Sequence, residues 1–165
     1  MFSQLLCADD SSVERDPHKV MAGYLFYFTK NNIVWSEDNA ESFNLCIVGD
    51  DPFGESIDPI EQKSAMWRPI RLFRFDSFRI LGKEPHCHIL FVSSSIKESL
   101  VAQVFVNTLV VGEGEKFLEQ GGMISFVINN LGKIKLRSNK KAIDKSGLKV
   151  SGKFGEVLDK GNSND

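Results

Sequence analysis

The sequence predicts an α/β fold: a layered sandwich with a mixed, largely parallel central sheet flanked by helices. Three observations carry this. Apolar runs of strand length recur at Phe43–Val48, 87–92 and 108–111, near-continuous as strands buried on both faces are. Stretches with helical spacing lie between them, the alternation that builds a parallel sheet. Late in the chain two apolar runs, 123–128 and 131–137, flank Asn129-Asn130 and suit an antiparallel hairpin at one edge.

Taken in order, Asp16-Pro17 opens the first element, an N-cap residue followed by proline at the first helical position. Val20, Met21, Tyr24, Leu25 and Phe28 then fall at helical spacing, predicting an amphipathic helix to about residue 30. Asn31-Asn32 ends it, and Ile33-Val34-Trp35 follows as a short apolar segment. The first core strand, Phe43–Val48, is closed by Gly49-Asp50-Asp51-Pro52. A helix over 52–65 is expected, broken by Gly54 and Pro59. A strand over 69–75 places Ile70, Leu72 and Arg74 on one face and Arg71 and Phe73 on the other. Glu84-Pro85 precedes the strand 87–92, and Ser93-Ser94-Ser95 leads into a helix expected over 96–106. After the strand 108–111, Gly112-Glu113-Gly114-Glu115 turns into a short helix, 116–120, ended by Gly121-Gly122. Beyond the hairpin, 139–146 reads as a helix stopped by Gly147, and 148–158 as a last amphipathic piece.

At 165 residues, with no internal repeat or linker, the chain fits one domain. The expected division is a leader or disordered N-terminus over 1–14, the domain over 15–159 and a frayed polar tail over 160–165. Hydrophobic residues make up 42% of the chain, enough for a core and too many for intrinsic disorder. The 13 phenylalanines against two tryptophans and two tyrosines point to buried aromatics. A net charge of −2 gives no positive field for nucleic acid, and the locally basic stretch 133–153 reads as a solvated face. No apolar run approaches the roughly 20 residues of a membrane helix. The first eight residues, Met1 to Ala8, are short for a signal peptide and lack a basic region, though they fit the tail of one begun upstream.

Of the three cysteines, Cys7 lies in that leader, which leaves Cys46 and Cys87 as a pair or as two buried free thiols. The fragment nearest to enzyme chemistry is His86-Cys87-His88. On a strand both histidines would share a face with Cys87 opposite, so Cys87 and a histidine do not form a nucleophilic pair. His86 and His88 are weak candidates for a metal site, which needs three or four ligands, and no spacing singles out a third. Asp50, Asp51 and Ser93 follow strand ends, where open α/β sheets bind ligands; helix capping is the competing use of the acids. The Gly112–Glu115 loop lacks the lysine and third glycine of a phosphate loop and carries two acids. No catalytic constellation and no cofactor motif emerges, and the reading is of a non-enzyme.

The residues from Lys19 through Phe28 to Trp35, the run Leu45-Cys46-Ile47-Val48-Gly49-Asp50-Asp51-Pro52-Phe53-Gly54, and Cys87 to Val92 occur in an order and spacing that resembles the YfiR-like (DUF4154) family. So do Thr108 to Gly112, Phe117 through Gly121-Gly122 to Phe126, and Ala142 to Ser151; together they span about 18 to 158. The resemblance implies a periplasmic regulator that binds the periplasmic domain of a membrane diguanylate cyclase or sensor kinase. It also implies an outer-membrane lipoprotein as a second partner, homodimerisation, and a role in cyclic-di-GMP signalling and biofilm formation. It further implies a bridge between Cys46 and Cys87, whose positions match a cysteine pair commonly bonded in the family. A second cysteine pair of the family, near the glycine pair, has no counterpart here, and Gly152 and Gly155 stand where relatives favour larger residues.

Overall fold

The computed structural model describes residues 16–30, 32–81 and 85–162. The chain runs α1 (Pro17–Phe28), β1 (Ile33–Val34), β2 (Phe43–Val48), β3 (Ser64–Ala65), β4 (Arg68–Phe75), β5 (Ile89–Val92), β6 (Leu109–Glu113), α2 (Lys116–Glu119), β7 (Ile124–Ile128), β8 (Ile134–Ser138), α3 (Lys140–Lys145), β9 (Lys149–Val150) and α4 (Gly152–Asn162). A seven-stranded sheet in the order β3-β4-β2-β5-β6-β7-β8 forms the middle layer. Its strands β4, β2, β5, β6 and β7 are parallel, and short antiparallel partners close both edges. The expected mixed, largely parallel α/β sheet is the observed one. β1 and β9 pair separately as a two-stranded ribbon.

Every residue of β2 and β5 is buried, as a central strand covered on both faces requires. On one face α1 inserts Met21, Leu25 and Phe28, with Phe28 stacked on Phe126 and packed against Phe154 of α4. The helix starts as its sequence dictates: the Asp16 carboxylate accepts from the His18 amide, and Pro17 fills the first turn. On the other face Phe117 of α2 lies flat on the backbone, where a Cβ on Gly112 or Gly122 would come within 2.5 or 2.1 Å of its ring. From the irregular segment between β5 and β6, Ile96, Leu100 and Phe105 also pack against the core.

Three expectations are corrected. Residues 96–106 form no α-helix; the segment carries one 3-10 turn, Leu100–Ala102, capped by the Ser99 hydroxyl, which accepts from the Val101 amide. It buries Leu100 and half-buries Phe105 while leaving Val101, Val104 and Val106 in solvent, which suits an irregular strap better than a helix stripe. Residues 52–65 likewise give two 3-10 turns, Gly54–Ser56 and Asp58–Gln62, followed by β3, because Gly54 adopts a positive φ and Pro59 follows closely. Lastly, α4 extends through the expected tail to Asn162. Its side chain accepts from the Ser138 amide at the free edge of β8, and Gly161 packs directly on the Leu136 carbonyl. The expected leader and residues 163–165 lie outside the described residues.

Candidate recognition site

Between Pro85 and Ile89 the backbone bends before it joins the sheet. Leu45 pairs with Ile89 and Cys46 with Leu90, so strand alternation alone would set Cys87 on the Leu45 face. Instead Cys87 is bonded to Cys46, with the Cα atoms 5.8 Å apart, and His88 stacks on Phe43 with ring centroids 4.6 Å apart. Alternation is therefore shifted by one residue at His88, in the manner of a bulge. This places both histidines on one side, as alternation predicts for that pair, with ring centroids 5.0 Å apart.

His88 is wholly buried and uses both ring nitrogens. The Asn44 amide donates to Nδ1 at 2.9 Å, so Nε2 carries the proton of the neutral ring and donates to Asp38 Oδ2 at 2.7 Å. Burial pushes the His88 pKa below its ordinary value, against the opposing pull of the Asp38 carboxylate. Asp38 is partly exposed. Its burial alone would raise its pKa, but the Ala40 amide, Arg68 and His88 all hydrogen-bond to the charged carboxylate and hold it at about 2. Arg68 also donates to the Ala40 carbonyl at 3.1 Å. The Asn44 side chain donates to the His86 carbonyl and accepts from Ser42, and the Trp35 indole donates to the His88 carbonyl at 2.8 Å. The network is closed, which is what makes a buried polar cluster tolerable.

Asp38, His86 and His88 bring three potential ligand atoms within 4.8 Å of one another. The hydrogen bonding argues against a cation there. A neutral imidazole that accepts the Asn44 amide on Nδ1 must keep its proton on Nε2, so it has no lone pair to offer a metal. The Arg68 guanidinium on Asp38 adds a like charge. His86 donates from Nε2 to the Asn107 carbonyl, because a carbonyl only accepts. His88 has no nitrogen left to serve as a general base either.

This network forms one wall of a groove of about 670 Å³, lined by Lys30, Ile33, Trp35, Asp38 and Arg68 on one side and by the β3–β4 turn on the other. The turn is Met66-Trp67, both with positive φ (52° and 63°), the geometry of a type I′ hairpin that normally selects Asn-Gly. Trp67 is fully exposed, at 103%. The Lys30 and Lys63 ammonium groups sit over the Phe26 ring nearby, at 4.5 and 4.9 Å.

Asp50, Asp51 and Ser93 do come together, at the carboxyl ends of β2 and β5, where the next strand in the sheet lies to opposite sides. The space between these loops is filled by their own contacts. The Asp50 amide donates to Ser95 Oγ at 2.9 Å, and Ser95 Oγ reaches Ser93 Oγ at 3.2 Å. Gly49, at φ +91°, leaves 2.6 Å between a built Cβ and Ser95 Oγ. Asp51 accepts from the Phe53 amide and is ion-paired with Arg74, so it caps and braces. Sequence reading missed Asp38, Arg68 and Trp67; the one signal for the last was a tryptophan in a short polar stretch ahead of Pro69.

Fold and site define a small α/β domain with an open groove shaped by a buried polar network. A family model described as YfiR/HmsC-like matches residues 18–154, and the chain belongs to that family. The family is regulatory, non-catalytic and periplasmic. No curated protein matches the chain. Among the described residues no helix is long and apolar enough to cross a membrane.

Proposed function

We propose that this chain is a non-enzymatic periplasmic regulator that controls a membrane diguanylate cyclase by binding its periplasmic domain, and through it cyclic-di-GMP signalling and biofilm formation. The observation that carries the reading is the Met66-Trp67 turn. Two non-glycine residues held at positive φ cost about 1–2 kcal/mol each, and a fully exposed indole recovers none of that within the chain. Strain of this kind persists where function uses it, and tryptophan is the residue most enriched at binding hot spots. The adjoining groove, with its Arg68–Asp38 floor, gives an anchor on the partner a place to seat. Homodimerisation and relief of inhibition by an outer-membrane lipoprotein accompany this reading.

Calorimetric titration against the purified periplasmic domain of a membrane diguanylate cyclase from the same genome tests it. Saturable binding, weakened at least tenfold by Trp67→Ala, is the expected result. Binding to none of the membrane cyclases, with no change in their product, would overturn it. A second reading, a small-ligand sensor acting on another receptor such as a histidine kinase, is favoured by the groove's volume, which falls within the roughly 300–1,000 Å³ of ligand pockets. Thermal shifts against a metabolite panel distinguish the two, because Trp67→Ala then abolishes a ligand-dependent shift.

A further inference from the structure

The methionine of the Met66-Trp67 turn differs in setting from the two in the core. Met21 is wholly buried, and Met123 is 4% exposed, its sulfur accepting from the Val110 amide at 3.4 Å. Met66 is half-buried and lines the open groove. Its Sδ accepts from Nη2 of Arg68 at 3.6 Å. Arg68 lines the same groove, and its Nη1 serves both the Asp38 carboxylate and the Ala40 carbonyl. Among the described residues this leaves the thioether, a weak acceptor, as the partner of a charged Nη2 donor. The positive φ of Met66 and the pairing of Ala65 with Arg68 set where the turn sits over the guanidinium.

We infer that Met66 is an oxidation site for hydroperoxides, and that Arg68 holds the sulfoxide formed there. A lone pair of the thioether attacks one peroxide oxygen, so that a sulfur–oxygen bond forms as the oxygen–oxygen bond breaks. The sulfur is oxidised by two electrons and the peroxide is reduced. With hydrogen peroxide, the departing hydroxide takes the proton of the transferred oxygen and leaves as water. The new oxygen is bonded to a sulfur that already faces Nη2, so it falls within hydrogen-bond reach of the guanidinium. A sulfoxide oxygen on a charged donor makes a far stronger bond than the thioether does. Arg68 thereby keeps Asp38 on Nη1 and gains an acceptor on Nη2, so the buried network survives the change. Oxidation turns an apolar side chain into a polar, chiral one, here at the base of the exposed Trp67. Its consequence is weaker seating of a partner on that turn; this consequence, unlike the oxidation, rests on the function proposed above.

The test treats the full chain with hydrogen peroxide and follows each methionine by peptide mass mapping. Met66 is expected to oxidise at least tenfold faster than Met21 and Met123, and the three rates should converge in concentrated urea. A Met66 rate no greater than theirs in the folded chain would overturn the inference. Two methionine sulfoxide reductases, each acting on one epimer, then read the product after unfolding. One epimer in at least threefold excess is expected, because a sulfur held against Arg68 offers its two lone pairs unequally. Equal epimers, as a sulfur turning freely in solvent gives, would refute the part assigned to Arg68. Neither measurement needs a partner. In the calorimetric titration, oxidation should weaken binding at least threefold in the wild type and leave Met66→Leu unaffected. No loss in the wild type, or the same loss in Met66→Leu, would overturn the consequence for the turn. Absence of binding before oxidation counts against the proposed function, while the mapping still decides the oxidation site.

Discussion

The Asn44 amide donates to Nδ1 of His88 at 2.9 Å, and this one bond fixes the chemistry of the buried cluster. It assigns the ring proton to Nε2 and directs it at Asp38. The same bond spends the lone pair that protonation would need, so a charged His88 must break it.

Stability should therefore fall in two acid stages. The folded-state pKa of His88 lies below its unfolded value, so the unfolded chain binds more protons as the pH drops. Its contribution is whole above about pH 6.5 and is lost as the pH falls from there through the lower folded-state value. Asp38 is lowered from 3.8 to about 2, so its contribution is present above 3.8 and lost between 3.8 and 2. Screening at this partly exposed carboxylate reduces that second stage to about 1 kcal/mol. Urea unfolding at a series of pH values checks both stages: His88→Gln should remove the first, and Asp38→Asn the second. An unchanged profile in His88→Gln would sink the assignment.

Trp67→Gly should raise stability while it abolishes partner binding. Glycine adopts φ +63° without the steric cost that tryptophan carries, and the exposed indole contributes no burial. The expected gain is about 1 kcal/mol, read as a higher midpoint of chemical unfolding. A loss of stability would mean that the indole packs on the chain after all.

Removing the bridge should cost up to about 4 kcal/mol, the loop-closure value for a sequence separation of 41. Cys46→Ser is expected to lose that much in urea unfolding, and reduced wild type to match it. Since the bulge at His88 depends on Cys87 turning toward Cys46, the first stage of the pH profile should weaken in the same variant.

Much of the architecture was legible because burial on both faces leaves its mark on composition. Phe43–Val48 and the 124–128 strand are apolar but for one buried polar residue each, Asn44 and Ser125, and Asp16-Pro17 states where α1 begins. The strap over 96–106 misled because its valines mimic helical spacing although Val101, Val104 and Val106 stay in solvent while Ile96, Leu100 and Phe105 turn inward. The site was less legible for another reason. Asp38 sits in an irregular loop 50 residues from His88 and 30 from Arg68, and only the parallel pairing of β4, β2 and β5 brings the three together. The Cys46–Cys87 bridge was suggested by family resemblance, since residue alternation alone turns Cys87 the other way.

Gly161 gives the sharpest test of how the chain ends. A Cβ at this position would lie 1.7 Å from the Leu136 carbonyl oxygen, and backbone of a sheet strand cannot retreat as a flexible side chain can. Gly161→Ala should therefore push α4 off β8 in spite of alanine's better helix propensity. The helix would lose the burial of Phe154 and Leu158 and the Asn162 hydrogen bonds that cover the open edge at Ser138. Overpacking in well-packed sites costs about 1–3 kcal/mol, and the upper end is expected because the obstacle is main chain. Chemical unfolding gives the loss, and amide hydrogen exchange at Ile134–Ser138 shows whether the edge of β8 has opened. Full stability together with unchanged protection at that edge would mean that α4 does not dock through Gly161.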